Sequence, residues 1–311
     1  CININFPYNV MFYNSHKILT MPTPFLFALV TLIWGSSWIA ITYQYGAVSE
    51  ELSVAYRFFI AAIFLFSYAL IKKEQLRINL SHYPMIIIMG SSMFCFNYLF
   101  TYYGMNYVAS GLAAVLFGLI VIFNAFFERV FFGKIIENRI IIATIIGILG
   151  IILMFWPELR DLSNTSKSLI GALWLFTAVI ISSLGNITAV INTNTNIPIV
   201  TINAHAMLCG SFLCLILALV MNKPITFEIT FSYITSLLYL SIAASAITFG
   251  CYLELIKRIG STRTAYTTLL FPVVALIIST IVGEYSWNIF ALFGVGLVFI
   301  GTWLALPKKQ T

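Results

Sequence analysis

Charged residues are scarce in this sequence. Only 8% of its 311 residues are Asp, Glu, Lys or Arg, whereas soluble domains carry about 25%. Apolar residues make up 61% of the chain, well above the roughly 45–50% of soluble domains. Because so few polar side chains cannot cover a water-exposed surface of this size, a soluble globular protein is excluded. We expect the lipid bilayer to be the solvent.

The residues of common catalytic and metal sites are also rare. The chain has three histidines and five cysteines, and Asp161 is its single aspartate. It contains no His-Glu-x-x-His zinc pair and no Gly-x-Ser-x-Gly nucleophile motif. Four of the cysteines fall inside apolar runs, where a thiol behaves as a small hydrophobic group. We therefore predict that the protein is not an enzyme and has no metal site or disulfide.

Apolar runs recur along the chain, each close to the roughly 20 residues that a membrane helix needs. They are apolar on all sides, whereas a strand in lipid alternates apolar and polar residues. The sequence therefore predicts an all-α polytopic membrane protein. Its ten transmembrane helices are expected at 25–43, 52–71, 84–104, 111–131, 139–156, 169–191, 199–221, 231–253, 263–282 and 289–306.

The net charge of +6 comes from small groups of Lys and Arg between these runs and not from one basic stripe. A nucleic-acid partner is therefore not expected. If the N-terminus is cytoplasmic, twelve Lys and Arg residues fall on the inner side and only Arg160, Lys167 and Lys223 fall outside. This bias predicts an inner-membrane protein with both termini in the cytoplasm.

The two halves of the chain resemble each other at a spacing of about 150 residues. Gly35 matches Gly185, and Gly150 matches Gly301. Because five spans per half is an odd number, the halves are expected to lie in opposite orientations, as in many secondary transporters with a site between inverted repeats. The predicted organisation is an N-terminal cytoplasmic extension or doubtful start over 1–20, a first half over 21–157, a second half over 168–306 and a cytoplasmic tail over 307–311.

Local motifs carry a family resemblance. In the first half they are Trp34-Gly35-Ser36-Ser37, Arg57-Phe58 with Ala61-Ala62, and Ala109-Ser110-Gly111-Leu112-Ala113-Ala114. In the second half they are Lys257-Arg258-Ile259-Gly260-Ser261-Thr262-Arg263, Pro272, Gly283-Glu284, Gly294 and Gly301. In this order and spacing the chain resembles the drug/metabolite transporter superfamily, specifically its ten-helix branch of two EamA-type domains. The resemblance implies transport of small metabolites such as amino acids, without a cofactor or ATP.

Polar and aromatic residues inside the predicted spans are the candidates for a substrate site. Trp34 lies too deep for the aromatic belt at the headgroups, and an amide in hydrocarbon must find a hydrogen-bond partner. Each of these side chains could line a cavity or could join two helices by packing and hydrogen bonds. The substrate-binding candidates are Trp34, Ser37, Asn97, Tyr98, Asn124, Asn186 and Tyr252.

Arg57 and His205 are the ionisable bases within spans, and we predict that they gate the cavity or attract charge. Each lies about six residues, or about 9 Å, from one end of its helix. Arg57 could alternatively extend to the membrane surface, pair with a carbonyl or bind a substrate carboxylate. His205 could alternatively be a neutral, hydrogen-bonded structural residue.

No acidic residue is expected near the middle of a span, since every Glu falls in a loop or at a helix end. Glu128 and Glu254 in particular are expected at the membrane interface. This pattern disfavours proton-driven export of lipophilic cations. It favours a secondary transporter, with export as the direction, for neutral or zwitterionic small molecules, acting as a monomer or homodimer. The alternatives are a lipid or lipid-linked sugar flippase and a structural membrane protein.

Overall fold

The computed structural model describes residues 21–46, 48–108, 110–160, 166–281 and 287–306. Within these ranges all regular secondary structure is helical. The α-helices are α1 (Thr23–Thr42), α2 (Glu50–Ile71), α3 (Tyr83–Ser91), α4 (Asn97–Met105), α5 (Ser110–Gly118), α6 (Ile120–Phe132), α7 (Asn138–Met154), α8 (Trp156–Arg160), α9 (Ser166–Thr193), α10 (Ile199–Val220), α11 (Phe231–Leu238), α12 (Thr248–Ile259), α13 (Ser261–Thr264), α14 (Tyr266–Ile281) and α15 (Ile289–Ala305).

Eight helical segments in the described part of the chain are long and apolar enough to cross a membrane. They are Thr23–Thr42, Glu50–Ile71, Leu80–Met105, Val115–Phe132, Ser168–Thr193, Ile199–Val220, Phe231–Ile259 and Ser261–Ile278. The predicted spans 139–156 and 289–306 correspond to α7 and α15, two apolar helices of 17 residues each. The prediction of an all-α polytopic membrane protein is thus confirmed in its class.

The helix boundaries follow from local sequence. The Ser49 side chain accepts a hydrogen bond from the Leu52 amide and begins α2. In the second half of the chain, the helical segment that begins at Phe231 continues through α12 to Ile259. It is therefore six residues longer at its C-terminal end than the predicted span 231–253. Lys257 lies in the last helical turn, where a positive charge interacts favourably with the helix dipole. The helix stops at Gly260, whose φ of 83° strongly favours glycine.

Two long segments contain π-helical turns. Ser92–Phe96 joins α3 to α4, and Tyr239–Ile247 joins α11 to α12. In the second of these, the Thr248 hydroxyl donates to the Ala243 carbonyl five residues earlier. The π turns shift the faces that an uninterrupted α-helix presents, and such turns are frequent at functional sites.

The helices approach most closely where glycines meet backbone. Helix α7 packs along α15, and α2 packs along α10. A Cβ added at Gly150 would lie 2.8 Å from the Gly294 carbonyl oxygen, and one added at Gly294 would lie 2.6 Å from that of Gly150. In the same seam, a Cβ at Gly301 would lie 2.7 Å from the Ala143 carbonyl oxygen. No side chain fits between these backbones, so the seam depends on its small residues.

Gly294→Ala is expected to destabilise the protein because the added methyl group must push the backbone of α7 away, which costs about 1–3 kcal/mol. The matched control is Gly296→Ala in the same helix, since a Cβ there meets nothing within 4 Å. The measurement is the thermal unfolding midpoint of the purified protein in detergent. Equal midpoints for the two variants would show that the seam is not closely packed.

Candidate functional site

A central cavity lies between the two halves and encloses about 760 Å³ of empty space, including the part that opens outward. Seven of the nine predicted site residues line it. They are Trp34, Ser37, Arg57, Asn97, Tyr98, Asn186 and Tyr252. The rest of the lining is Ile41, Met93, Thr101, Tyr102, Phe117, Ile120, Ser182, Phe249, Thr268 and Phe271. The walls are therefore mainly apolar and aromatic, with a few polar groups, as is usual for small-molecule sites.

Trp34 is fixed by its hydrogen bond and by ring packing. Its indole N–H donates to the Ala244 carbonyl in the π-helical segment, with an N–O distance of 3.0 Å. Its ring centroid lies 4.9 Å from that of Tyr252 and 5.1 Å from that of Phe249. Because the N–H is already used, Trp34 offers a solute an aromatic surface and not a hydrogen bond.

Asn124 lies one side chain behind the cavity wall and is completely buried. Its Oδ1 accepts from the Ser183 hydroxyl at 2.7 Å and from Asn186 Nδ2 at 3.3 Å, and its Nδ2 donates to the Ser261 carbonyl at 3.1 Å. Tyr252 in turn donates to Asn186 Oδ1 at 3.3 Å. Asn124 thus supports Asn186 and Tyr252, which themselves face the cavity.

Arg57 is also buried, with only 1% of its surface exposed. Its Nε donates to the Ser245 hydroxyl at 2.8 Å, and its guanidinium carbon lies 4.7 Å from the centre of the Tyr98 ring. The side chain therefore does not extend to the membrane surface. Its aromatic and hydroxyl neighbours hold the cation in the cavity wall.

His205 lies outside the set of cavity-lining residues. Its Nε2 is 3.0 Å from the Leu76 carbonyl, its Nδ1 is 3.3 Å from the Tyr83 hydroxyl, and its ring packs edge-on against Phe66. A carbonyl oxygen only accepts, so Nε2 carries a proton and donates to Leu76. These contacts favour a structural role for His205, in which its ring joins neighbouring segments, over a role in gating the cavity.

Glu128, which the sequence places at a helix end, is buried. Its Oε1 accepts from the Ser261 amide at 2.9 Å and from the Ser261 hydroxyl at 2.6 Å, and Lys134 lies 3.4 Å from Oε2. These hydrogen bonds and the ion pair offset the free-energy cost of burying the carboxylate. A second pocket of about 480 Å³ surrounds this contact.

Two further acidic residues are buried. Glu254, also expected at the interface, pairs with Arg258 at 2.7 Å one helical turn later. Glu51, in the first turn of α2, is fully buried, accepts a hydrogen bond from Tyr103 and lies 3.9 Å from Lys223. The sequence assigned these residues to helix ends, but it did not reveal that Tyr103 and Lys223, from distant segments, are the partners that allow Glu51 to be buried.

Sequence reasoning also missed part of the cavity wall. Thr268 and Phe271 line it from α14, just before Pro272, which lies inside that helix. A proline inside a membrane helix removes one backbone hydrogen bond and often marks a functional segment. Pro272 is therefore the sequence feature that marks this part of the cavity wall.

Asn124→Leu is expected to destabilise the protein by about 1–3 kcal/mol per polar group left unpaired, because Ser183, Asn186 and Ser261 all lose a partner. The matched control is Asn203→Leu, since Asn203 is equally buried and neither of its amide atoms has a hydrogen-bond partner. Thermal unfolding in detergent should show a clear loss for Asn124→Leu and little or no loss for Asn203→Leu. A reversed order would contradict the network.

Comparisons with known proteins agree with this architecture. The chain is 23% identical to "Uncharacterized transporter YoaV" of Bacillus subtilis, over 88% of this chain and 93% of that protein. It is 24% identical to "Protein PagO" of Salmonella typhimurium, covering 92% and 93%, and 24% identical to "Uncharacterized inner membrane transporter YedA" of Escherichia coli, covering 91% and 92%. A crystal structure that is 14% identical superposes with a TM-score of 0.74 over 91% of this chain and 96% of that one, which supports the fold.

The family comparison covers both halves. The model of the EamA-like transporter family matches residues 21–156 and again residues 169–306. Together these matches take in most of the chain. The protein therefore belongs to the EamA-like transporter family and is a multi-pass membrane transporter.

Proposed function

We propose that the protein is a secondary transporter that moves small neutral or zwitterionic organic solutes, such as amino acids, through the central cavity. The observation that carries this proposal is the cavity itself, which both halves build. Trp34, Arg57 and Asn97 come from the first half, and Asn186 and Tyr252 come from the second. A solute bound there contacts both halves at once, as a transporter with a site between its repeats requires.

The proposed architecture is ten transmembrane helices in two inverted repeats, 21–157 and 168–306. The glycine seam supports it. Gly150 approaches the Gly294 carbonyl, and Gly301 approaches the Ala143 carbonyl. Adding 151 to Gly150 gives Gly301, and subtracting 151 from Gly294 gives Ala143. The two contacts thus exchange when the halves are exchanged, as a twofold relation between inverted repeats demands.

The π-helical turns support the same relation. One ends at Phe96 and the other at Ile247, which are 151 residues apart, and the segments that contain them begin at Leu80 and Phe231, again 151 apart. Helices α7 and α15 count as spans in this proposal, because 17 residues extend about 26 Å. That is close to the roughly 30 Å of the hydrocarbon core.

Transport proceeds in this proposal by alternating access, with one half rocking against the other. The Glu128 contact with Ser261 joins the two halves at one end of the cavity. Its breakage opens that end, and the second pocket around it becomes the entrance. We propose export across the inner membrane with both termini cytoplasmic. The positive-inside charge pattern supports this orientation of the termini, and the name of the Escherichia coli relative supports the inner-membrane location.

The test is to fill the cavity. Ser182→Trp places an indole in the cavity wall, and the expected result is that solute uptake falls to the level of empty liposomes, because the site has no room for solute. Uptake from a mixture of the standard amino acids into proteoliposomes is measured by mass spectrometry. The matched control is Ser67→Trp on the exposed face of α2, which should transport normally.

Both variants must first elute as monodisperse protein with cooperative thermal unfolding. Wild-type rates in the Ser182→Trp protein would rule out the cavity as the transport path. Uptake that is absent from wild-type protein for every solute in the mixture would contradict the proposed substrate class.

A further inference from the structure

We propose that Trp34 is a positioning residue of the transporter. Its indole N–H, in the first half, holds the segment Tyr239–Ile247 of the second half in its π-helical register, and this register fixes the face that α12 turns to the cavity. The inference rests on the proposed function only for the cavity as the transport path. It gives Trp34 a role that acts through another helix, in addition to the aromatic surface that it offers a solute.

A carbonyl loses its usual helical donor where the π-helical segment meets α12. In a regular α-helix each carbonyl accepts from the amide four residues later, so the Ala244 carbonyl would accept from Thr248. Here the Thr248 amide donates instead to the carbonyls of Ala243 and Ser245, and the Thr248 hydroxyl also donates to Ala243. Because a π turn joins residues five apart and an α turn joins residues four apart, the Ala244 carbonyl between them is passed over.

Trp34 supplies the missing donor. Its Nε1 lies 3.0 Å from the Ala244 oxygen, and it belongs to α1, 210 positions earlier in the chain. Ala244 is completely buried, so bulk water does not reach its carbonyl. Since an unpaired buried carbonyl is costly, the indole N–H stabilises the π register over a register in which α12 itself uses the Ala244 carbonyl.

Helix α1 also holds the other end of the segment. Tyr239 is the first residue of the segment. Its hydroxyl lies 2.6 Å from the Ser36 hydroxyl and donates to the Ile33 carbonyl at 3.3 Å. Hydrogen bonds at Tyr239 and at Ala244 thus tie both ends of the segment to α1. The register is therefore held by contacts between the two halves.

The register determines the orientation of α12. Ser245 accepts from Arg57 in the cavity wall. Phe249 and Tyr252 line the cavity and pack against the Trp34 ring. A change of hydrogen-bond register by one residue turns a helix by about 100°. Such a turn would carry Phe249 and Tyr252 out of the cavity wall.

The first half contains an equivalent turn that lacks this donor. Its π turn is Ser92–Phe96, in which Met93 corresponds to Ala244 at a spacing of 151 residues. The residue that corresponds to Trp34, at a spacing of 150, is Leu184, whose side chain has no N–H. The first-half turn therefore serves as an internal control.

The experiment measures amide hydrogen–deuterium exchange by mass spectrometry on the full chain in lipid nanodiscs. Trp34→Phe keeps an aromatic ring at the cavity and removes the N–H. Exchange in residues 239–252 should become about fivefold or more faster, because the Ala244 carbonyl loses its donor and the register is released. Exchange in the equivalent residues of the first half, 88–101, should not change.

The matched control is Trp303→Phe, which makes the same chemical change at an exposed position of α15 and should leave exchange in both segments unchanged. If Trp34→Phe fails to fold, Tyr239→Phe decides. This variant removes the hydroxyl at the start of the segment and leaves Trp34 in place. Exchange should then rise at the start of the segment and stay slow in residues 244–252.

Unchanged exchange in residues 239–252 of Trp34→Phe would overturn the inference, because Trp34 would then offer the solute a surface and nothing more. An equal increase in both halves would also overturn it. For Tyr239→Phe, the contradicting result is faster exchange through to residue 252. Because exchange is measured without solute, a wild-type protein that takes up no solute would contradict the proposed function and leave this result standing.

Discussion

The structure depends on close backbone contact between helices, because lipid provides no hydrophobic force to press them together. Such contact forms the seam where Gly150 of α7 meets Gly294 of α15 and Gly301 meets Ala143. On another side of the bundle, α2 packs along α10. Each of these pairs takes one helix from each half. The halves are therefore joined firmly at these two seams, and a cavity between them is tolerated elsewhere.

Polar side chains in the bundle separate into two groups by whether their hydrogen bonds are complete. Asn124 uses both amide atoms, and His205 uses both ring nitrogens, so these residues hold helices together. Arg57 and Asn97 each keep a buried atom without a partner, and both line the cavity. An unpaired buried polar atom is costly, so the completed hydrogen bonds of Asn124 and His205 stabilise the fold.

The sequence predicted the helical membrane class and much of the cavity wall because both depend on residue type and depth. Trp34 and Asn186 are unusual in hydrocarbon wherever they point, and both line the cavity. The sequence could not show that Asn124 lies behind the wall or that Glu128 reaches Ser261, since each contact joins residues more than 130 positions apart. Trp34 donates to the Ala244 carbonyl in a π-helical segment. The spacing of apolar residues in the sequence does not reveal that segment either.

The central claim is that a single cavity becomes accessible from each side of the membrane in turn. Thr268, which lines the cavity from α14, provides the test as Thr268→Cys in a protein whose native cysteines are replaced. The protein is reconstituted in one orientation, and a membrane-impermeant maleimide is applied to one side at a time. Labelling is expected from either side, and it should be faster from the Glu128 side when Glu128→Ala is added. Labelling from one side alone, unchanged by Glu128→Ala, would contradict it.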